Sequence, residues 1–486
     1  MSRINSNVAS LIAQHNLQRS NQDLSVSLRR LSTGLAISRG ADNPAGLIVS
    51  ERLRSEIEGV SQAIDNAERA QNVIATTEAA LAEISTLLTS VKGLTVEAAN
   101  TGGFSKQEIE ANQLQIDSAI ESITRISAST SFAGLKLLNG SLDYLLSGVN
   151  PAQIQDVTVF GANFGTNTTI PVSVEVLNSA ENAQLFVSGN TLGSPGALLS
   201  SVTFEVQGAK GVEVLSFVSG TTLSAVAFAV NTVKDATGVS ATLASATDQT
   251  SGIVLTSQAY GSDSFVSVRK ISDGAFFQTY DQQNGTAINR DTGTDVLALV
   301  NGNLALGDGL DVSLKSSTLN LELSLTAAAA TALATYNFTV TGGGTLYQIG
   351  PSVTPTQQVG FGIQSVAASR LGTEALGFLN SITSGGDNSL TNGQASIASQ
   401  IIDVSIDQIA VLRGRIGAFE LNTLQTSIRS QQIALENLTA AESQIRDTDF
   451  ASETAALTRA QILVNAGTST LALANSTSQN VLALLQ

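Results

Sequence analysis

The stretch at residues 450–486, FASETAALTRAQILVNAGTSTLALANSTSQNVLALLQ, repeats an apolar residue every seven positions. The repeat runs through Leu457, Val464, Leu471 and Leu485, with Ser478 filling the one gap. A companion series carries smaller side chains at Ala460, Gly467, Ala474 and Val481. Heptad repeats are typical of helices that pack along a partner helix, and small residues let two helices approach closely. We therefore predict a helical tail that packs tightly inside a bundle.

The N-terminal part of the chain carries a matching apolar pattern. Before the first proline the pattern runs through Leu24, Leu28, Leu31 and Leu35. After it, a longer apolar seam occupies Leu53, Ile57, Val60, Ile64, Ile74, Leu81 and Leu88, and its C-terminal counterpart occupies Leu421, Ile428 and Leu435. Asp42-Asn43-Pro44 supplies a capping residue followed by a proline at the first helical position. These signals predict one helix from Pro44 to about Asn100, roughly 80 Å long.

Other signals divide the rest of the chain. Ser105 and Glu108 form a capping box that opens a further helix after the Gly102-Gly103 break. Between residues 151 and 350 the apolar residues alternate with polar ones in four runs, which begin at Val172, Val202, Leu319 and Tyr336. Strict alternation predicts half-buried strands. The fold class is therefore α+β, with a long coiled-coil core built from both chain ends and a β-rich central insertion.

Composition excludes many functions. The chain of 486 residues has no cysteine and one histidine, and its formal net charge is −16. Thiolate metal sites, disulfides and histidine-pair sites are thus impossible, so we expect no enzyme, no metal and no cofactor. The acidic surface disfavours nucleic acid. No apolar stretch approaches the ~20 residues of a membrane span, and the N-terminus lacks a cleavable signal peptide.

Several local features have ordinary explanations. His15 lies on an apolar helix face and is interpreted as an interface residue. The segments 291–295 and 308–311 offer aspartates in a calcium-like pattern, but without complete loop spacing, and Asp-Gly is common turn chemistry. The arginine pairs at positions 29–30 and 413/415 are interpreted as residues in solvated or inter-subunit ion pairs rather than as anion sites. The two arms expose more apolar surface than one chain can cover, which predicts self-assembly.

The two ends, once read in this way, resemble bacterial flagellin. The resemblance is most specific in the C-terminal stretch, above all in Arg459-Ala-Gln-Ile-Leu463 and Ala466-Gly-Thr-Ser469. LRRLSTGLAISRGADNPAGLIVSERLRSEI at residues 28–57 is similar to the family's opening block, and Thr130-Ser-Phe-Ala-Gly134 also matches. The match spans about 1–145 and 360–486. Within the insertion, Phe204-Glu-Val-Gln-Gly208 and the residues after it resemble a ββα unit found in many flagellin insertions.

The resemblance implies a filament subunit that leaves the cell unfolded through the flagellar export channel, without a cleaved signal. It implies inner-tube helices at 1–43 and 450–486, an outer tube with β-hairpins at 44–177 and 341–449, and an outward-facing variable insertion at 178–340. The implied partners are further copies of the chain, an export chaperone at the C-terminal helices, the filament cap and the hook–filament junction proteins. The implied location is the extracellular filament.

Two alternatives remain open from the sequence. One is a hook–filament junction protein, and the other is a flagellin whose insertion binds a surface or glycan. A metalloprotease insertion is excluded because no histidine follows His15. Some flagellins are recognised by an innate immune receptor, and Leu94 matches the leucine of that region. Ser90 and Gln115 replace the matching arginine and acidic residue, so we expect weak receptor activation.

Overall fold

The computed structural model describes residues 7–165, 167–187, 196–245, 251–272, 277–282, 285–316 and 318–483. Residues 477–483 are described by their backbone alone. The α-helices are α1 (Val8–Thr33), α2 (Pro44–Ala98), α3 (Lys106–Ser129), α4 (Leu223–Thr232), α5 (Lys234–Thr237), α6 (Ala327–Ala330), α7 (Ala395–Phe419), α8 (Gln425–Arg446) and α9 (Phe450–Ala483). A π-helical turn, Glu420–Leu424, joins α7 to α8. Short 3₁₀ turns occupy Pro355–Gln357, Leu379–Ile382 and Leu390–Asn392.

The strands are β1 (Ser131–Phe132), β2 (Leu135–Lys136), β3 (Tyr144–Ser147), β4 (Ile154–Ala162), β5 (Ile170–Asn178), β6 (Asn182–Val187), β7 (Val202–Gly208), β8 (Val212–Phe217), β9 (Val239–Leu243), β10 (Ile253–Tyr260), β11 (Phe265–Lys270), β12 (Thr279–Tyr280), β13 (Arg290–Thr292), β14 (Leu297–Val300), β15 (Asn303–Asp308), β16 (Asp311–Lys315), β17 (Leu319–Leu325), β18 (Thr335–Gly343), β19 (Thr345–Gln348), β20 (Gln358–Phe361), β21 (Gly372–Thr373) and β22 (Gly377–Phe378). The α+β class is confirmed. The chain forms two compact units, one of residues 1–72, 348–353 and 417–486, the other of 73–347 and 354–416.

Helix α2 begins where the sequence predicts. Pro44 is its first residue, and the Asn43 side chain caps it by accepting the Gly46 N–H at 3.0 Å. Of the predicted seam on this helix, five side chains are buried and two are half-buried: Val60, Ile64, Ile74, Leu81 and Leu88, then Leu53 and Ile57. The predicted capping box of α3 is also present, because the Ser105 hydroxyl accepts the Glu108 N–H and the Glu108 carboxylate accepts the Ser105 N–H.

The prediction for Leu421 is wrong for the single chain. Leu421 is 54 % exposed, whereas Leu424 is fully buried. Both residues lie in the π-helical turn, and a π-turn adds one residue to a helical turn. The added residue rotates Leu421 away from the stripe that a continuous heptad count assigns to it. Ile428 and Leu435, beyond the turn, are half-buried.

An eight-stranded antiparallel sheet begins the β-rich region, in the order β3-β18-β5-β14-β15-β16-β17-β4. The predicted alternating runs form β5, β17 and β18, and their apolar residues are buried. The two edge strands are tied together, because the Tyr144 hydroxyl on β3 accepts the Ala162 N–H on β4 at 2.9 Å. This sheet crosses the boundaries predicted at 178 and 340, so the β-rich region extends from Tyr144 to Gly343. Sequence alternation marked the strands but could not show which of them pair.

A second β-structure, the distal module, lies between Glu181 and Thr294. It contains the sheets β12-β6-β10-β9 and β13-β11-β7-β8, and has its own apolar core with α4. Glu181 and Thr294 exchange backbone hydrogen bonds of 2.9 and 3.0 Å, so the chain enters and leaves the module at one point. The predicted ββα unit is β7, β8 and α4. The module therefore has an apolar core of its own inside the insertion.

Two helical stretches, Pro44–Ala98 and Ala395–Arg446, are long and apolar enough to cross a membrane by length and composition alone. The sequence argument overlooked them because it searched for uninterrupted apolar runs. Core helices of soluble proteins pass the same test. Only 28 % and 33 % of the two apolar windows are buried inside this chain. The other residues of each window are half-buried or exposed in this chain.

Candidate assembly surface

Helices α1 and α9 form an antiparallel pair. The Asn7 amide caps α1 through the Ser10 N–H and donates to the Ala474 carbonyl oxygen at 2.9 Å. Toward the other end of the pair, Arg30 donates to a Glu453 carboxylate oxygen at 3.4 Å. The contacts at the two ends thus fix the register of the helices.

The seam between α1 and α9 is narrow and built from small residues. Among the described side chains of the two helices, the buried ones are Ala13, Ser27 and Ala460. Gly467 faces α1 so closely that a Cβ atom there would lie 3.3 Å from Leu17 Cδ1 and 3.7 Å from Leu17 Cα. The small-residue series of the tail therefore lies on the contact face of α9. Leu17 itself was not singled out by the sequence, although it precedes Leu24 and Leu31 at heptad spacing.

The predicted assembly residues on the terminal helices are mostly half-buried. Those in this class are Leu24, Leu31, Leu35, Leu457, Val464, Gly467 and Leu471. Leu28 is 50 % exposed. Val481 lies in α9, where only the backbone is described, and Leu485 lies outside the described residues. Contacts within the α1–α9 pair therefore cover none of these predicted assembly side chains completely, as far as they are described.

Large apolar side chains on the outer faces of the pair remain exposed to solvent. They are Val8, Leu11, Ile12 and Leu28 on α1, and Phe450, Ile462, Leu463 and Leu473 on α9, all between 49 % and 65 % exposed. His15 on α1 is also exposed. Contiguous exposed apolar surface marks an interaction site. These exposed side chains make the α1–α9 pair a candidate contact surface.

The linkers that follow α1 and precede α9 pair with each other. Leu35 and Asp447 form an antiparallel bridge, in which the Ala36 N–H donates to the Arg446 carbonyl at 2.7 Å. The Thr448 N–H donates to the Gly34 carbonyl at 2.9 Å. Gly34 ends α1 with φ of +74°, a conformation that costs glycine little. The end of α1 and the beginning of α9 are thus held side by side by their linkers.

Asp42 organises the loop between α1 and α2. Its side chain is 8 % exposed, pairs with Arg29 at 2.9 Å and accepts the Ser38 and Arg39 N–H groups at 3.2 and 3.0 Å. Burial by itself would raise the pKa of Asp42, but the hydrogen bonds from Ser38 and Arg39 and the charge of Arg29 lower it below its usual value. The ionised Asp42 carboxylate therefore holds the loop in place.

The polar residues that interrupt the apolar seam of α2 bond to polar residues of the C-terminal helical stretch. Gln71, where the heptad series turns polar, donates to Glu420 at 3.0 Å. Glu78 accepts two hydrogen bonds of 2.8 Å from Arg413. Arg413, Arg29 and Arg30 thus form ion pairs within the chain, whereas the sequence analysis expected solvated or inter-subunit pairs. Arg415 differs, because it stacks on an aromatic ring, and burial lowers its pKa to about 10.

The remaining candidate residues belong to the second unit. Ser90 and Gln115 are exposed and Leu94 is half-buried. In the segments considered for calcium, the Asp291 carboxylate accepts the Gln184 N–H of strand β6. The Asp295 carboxylate accepts the Ser262 and Gly309 N–H groups and so holds the turns at those residues. Within the described ranges, acidic and histidine side chains form no cluster suited to a metal.

Comparison with known proteins identifies what the chain is similar to. Family models match residues 4–143 as the bacterial flagellin N-terminal helical region, 399–485 as the bacterial flagellin C-terminal helical region and 201–259 as the flagellin hook IN motif. A flagellin of Salmonella rubislaw is 28 % identical and the B-type flagellin of Pseudomonas aeruginosa is 29 % identical, each over 99 % of both chains. A flagellar cap protein of Escherichia coli aligns with 15 % identity over 48 % of this chain and 64 % of its own, at a TM-score of 0.30, too low to bear on the fold.

Proposed function

Because this chain belongs to the bacterial flagellin family and is a structural subunit of the flagellar filament, we propose that the α1–α9 pair is the surface through which copies polymerise. The observation that carries this proposal is the band of large apolar side chains left exposed on both helices. Burying one leucine stabilises an interface by about 1.5–3 kcal/mol. Neighbouring copies supply such burial at every lattice position.

We further propose the layering that the resemblance implies. Segments 1–43 and 450–486 build the inner tube, and the helices between them and the β-rich region build the outer tube. The pairing of the two linkers at Leu35 and Asp447 supports this division. Both chain ends would pass from the inner layer to the outer layer at this bridge. The β-rich region from Tyr144 to Gly343 faces outward, where its excess of acidic residues keeps filaments soluble.

Export and its partners belong to the same proposal. A chain without cysteine and with six prolines avoids disulfide traps and most slow proline isomerisation when it folds after transit. The exposed apolar residues of α9 need cover before polymerisation, which supports an export chaperone at the C-terminal helices. The filament cap and the hook–filament junction proteins would meet the subunit at assembly, outside the cell.

The flagellin relatives, matched over 99 % of their own length, favour a filament subunit over a junction protein or a glycan-binding flagellin. The structural role requires no catalysis or cofactor, and we propose none. We also propose that innate-receptor activation is weak, because the exposed Ser90 and Gln115 lack the charges expected there.

The test replaces Leu11, which is 60 % exposed on α1, by lysine. We expect the Leu11→Lys chain to keep its helix content but to raise the critical concentration for polymerisation roughly 10- to 150-fold, in proportion to the lost burial. Gln14→Lys, which adds the same charge at an exposed polar position of α1, is the matched control. Sedimentation of filaments measures both, and an unchanged critical concentration for Leu11→Lys would refute the proposal.

A further inference from the structure

The distal module protects most edges of its two sheets. On β9, the Asn231 side chain donates to the Ala241 carbonyl at 2.8 Å and accepts the Ala241 N–H at 2.9 Å, so it occupies the strand edge as another strand would. On the opposite edge of the same sheet, β12 has only two residues. The Gln184 N–H of β6 donates to the Asp291 carboxylate at 2.7 Å. Such devices prevent sheets from pairing with other chains.

The edge strand β8 has no such device in the described part of the chain. It has six residues, no proline and a single charge, at Glu213. The hairpin bond from the Gly208 N–H to the Gly211 carbonyl fixes which backbone groups of β8 face β7. Because these groups alternate along an antiparallel pair, Val212, Val214 and Ser216 direct their N–H and C=O groups outward. No described residue bonds to these groups, and Val212 and Val214 are 50 % and 52 % exposed.

We propose that β8 pairs antiparallel with β8 of a second copy of this chain, centred on Val214. In this register Val212 lies opposite Ser216 of the partner subunit, and the two Val214 residues face each other. All six outward backbone groups of each strand are then paired. Glu213 lies opposite Leu215 of the partner subunit, so the two carboxylates of the strands are not opposed. The strand is thus self-complementary in hydrogen bonding and in charge.

Charge and concentration favour a second copy as the occupant. The register that pairs every outward group is also one that keeps the two Glu213 carboxylates from facing each other, and like charges directly opposed would destabilise a sheet. In a filament, copies are held at effective concentrations that make even a weak edge contact occupied. A two-fold contact of this kind differs from the head-to-tail contacts that build a helical polymer. The β8 pair therefore links outer domains in twos and is independent of polymerisation through α1 and α9.

Disulfide trapping in the full-length chain tests the register, because the natural sequence has no cysteine. In Val214→Cys filaments, mild oxidation should convert most of the chains to covalent dimers on a non-reducing gel. Val218→Cys is the matched control, since Val218 is 71 % exposed and lies just past the end of β8. The two copies of residue 218 would lie eight residues apart along the paired strands, about 26 Å. A disulfide needs Cα atoms within about 7 Å.

A second variant separates pairing from chance collision. Ser216→Pro removes an N–H that points outward, so β8 keeps its bonds to β7 but loses part of its free edge. Added to Val214→Cys, it should slow dimer formation at least tenfold. Filament formation is scored separately by electron microscopy, and oxidation is also run on unpolymerised chain at the same concentration. Absence of Val214→Cys dimers in both states, equal cross-linking of Val218→Cys, or no effect of the proline would overturn the proposal.

Discussion

The terminal helix pair and the distal module bury apolar residues in opposite ways. In the module, Phe204 is fully buried and stacks on Phe217 and Phe277, with ring centroids 5.6 and 4.5 Å away. Among the described side chains of the α1–α9 pair, the buried ones are two alanines and a serine, while the large side chains are half-buried or exposed. The module completes its core within one chain, and the helix pair does not. The difference locates the surface that depends on other copies.

The largest expected effect concerns where the insertion is cut. Deleting 182–293 and joining Glu181 to Thr294 through Asn-Gly should leave the eight-stranded sheet folded, because these residues are already bridged. Deleting 178–340 removes β14 to β17 and most of β18, and leaves β4 and β5 without neighbours. We expect proteolysis to spare residues 144–177 in the first chain and to cleave them rapidly in the second. Equal resistance of the two chains would show that the sheet does not depend on those strands.

The next effect contrasts the free chain with the filament. Because so few side chains are fully buried between α1 and α9, we expect the arms before about Asn43 and after about Asp449 to exchange amide hydrogens freely in dilute monomer. In filaments the same amides should be protected by orders of magnitude. The core strands of the distal module serve as the internal control, since their protection should be equal in both states. Strong protection of both arms in a verified monomer would contradict this expectation.

How far the sequence predicts this molecule depends on the range of the interaction. Local signals succeeded, as the start of α2 at Pro44 and the capping box at Ser105 demonstrate, because each depends on residues within one helical turn. The prediction for Leu421 was wrong for the single chain because the π-turn adds one residue and so changes the angle between Leu421 and the heptad positions after the turn. No feature of the amino-acid composition indicates such a turn. The sequence could not show that one sheet runs across the positions 178 and 340, because strand pairing is a long-range property. The assembly role of the terminal helices followed from heptads together with resemblance.

Gly467→Leu tests the close approach of the terminal helices. A leucine side chain would collide with Leu17, and overpacking of this kind costs about 1–3 kcal/mol per subunit. The critical concentration should therefore rise roughly 5- to 150-fold. Gly417→Leu is the control, because a Cβ at Gly417 has no neighbouring atom within 4 Å. Wild-type polymerisation of Gly467→Leu would indicate that the glycine merely loosens α9.

Acid should weaken the linker through Asp42. A carboxyl whose folded-state pKa is lowered stabilises the fold above its unfolded pKa of about 3.9, and that contribution is lost as pH falls through the folded-state pKa. Filaments should thus dissociate more readily below about pH 4. Asp42→Asn removes the charge at every pH, so it should weaken filaments near neutrality and flatten this part of the acid profile. Light scattering during acid titration compares the two, and identical profiles would exclude a role for Asp42.

The smallest expected effect comes from Gly467→Ala, and its sign distinguishes packing from helix propensity. Alanine favours a helix over glycine by about 1 kcal/mol. Its Cβ would lie 3.3 Å from Leu17 Cδ1, the end of a side chain that can shift. We expect these effects to cancel, leaving the critical concentration within about twofold. In a Leu17→Ala background the crowding disappears, so the same substitution should lower it about fivefold. An equal effect in both backgrounds would mean that Leu17 does not restrict residue 467.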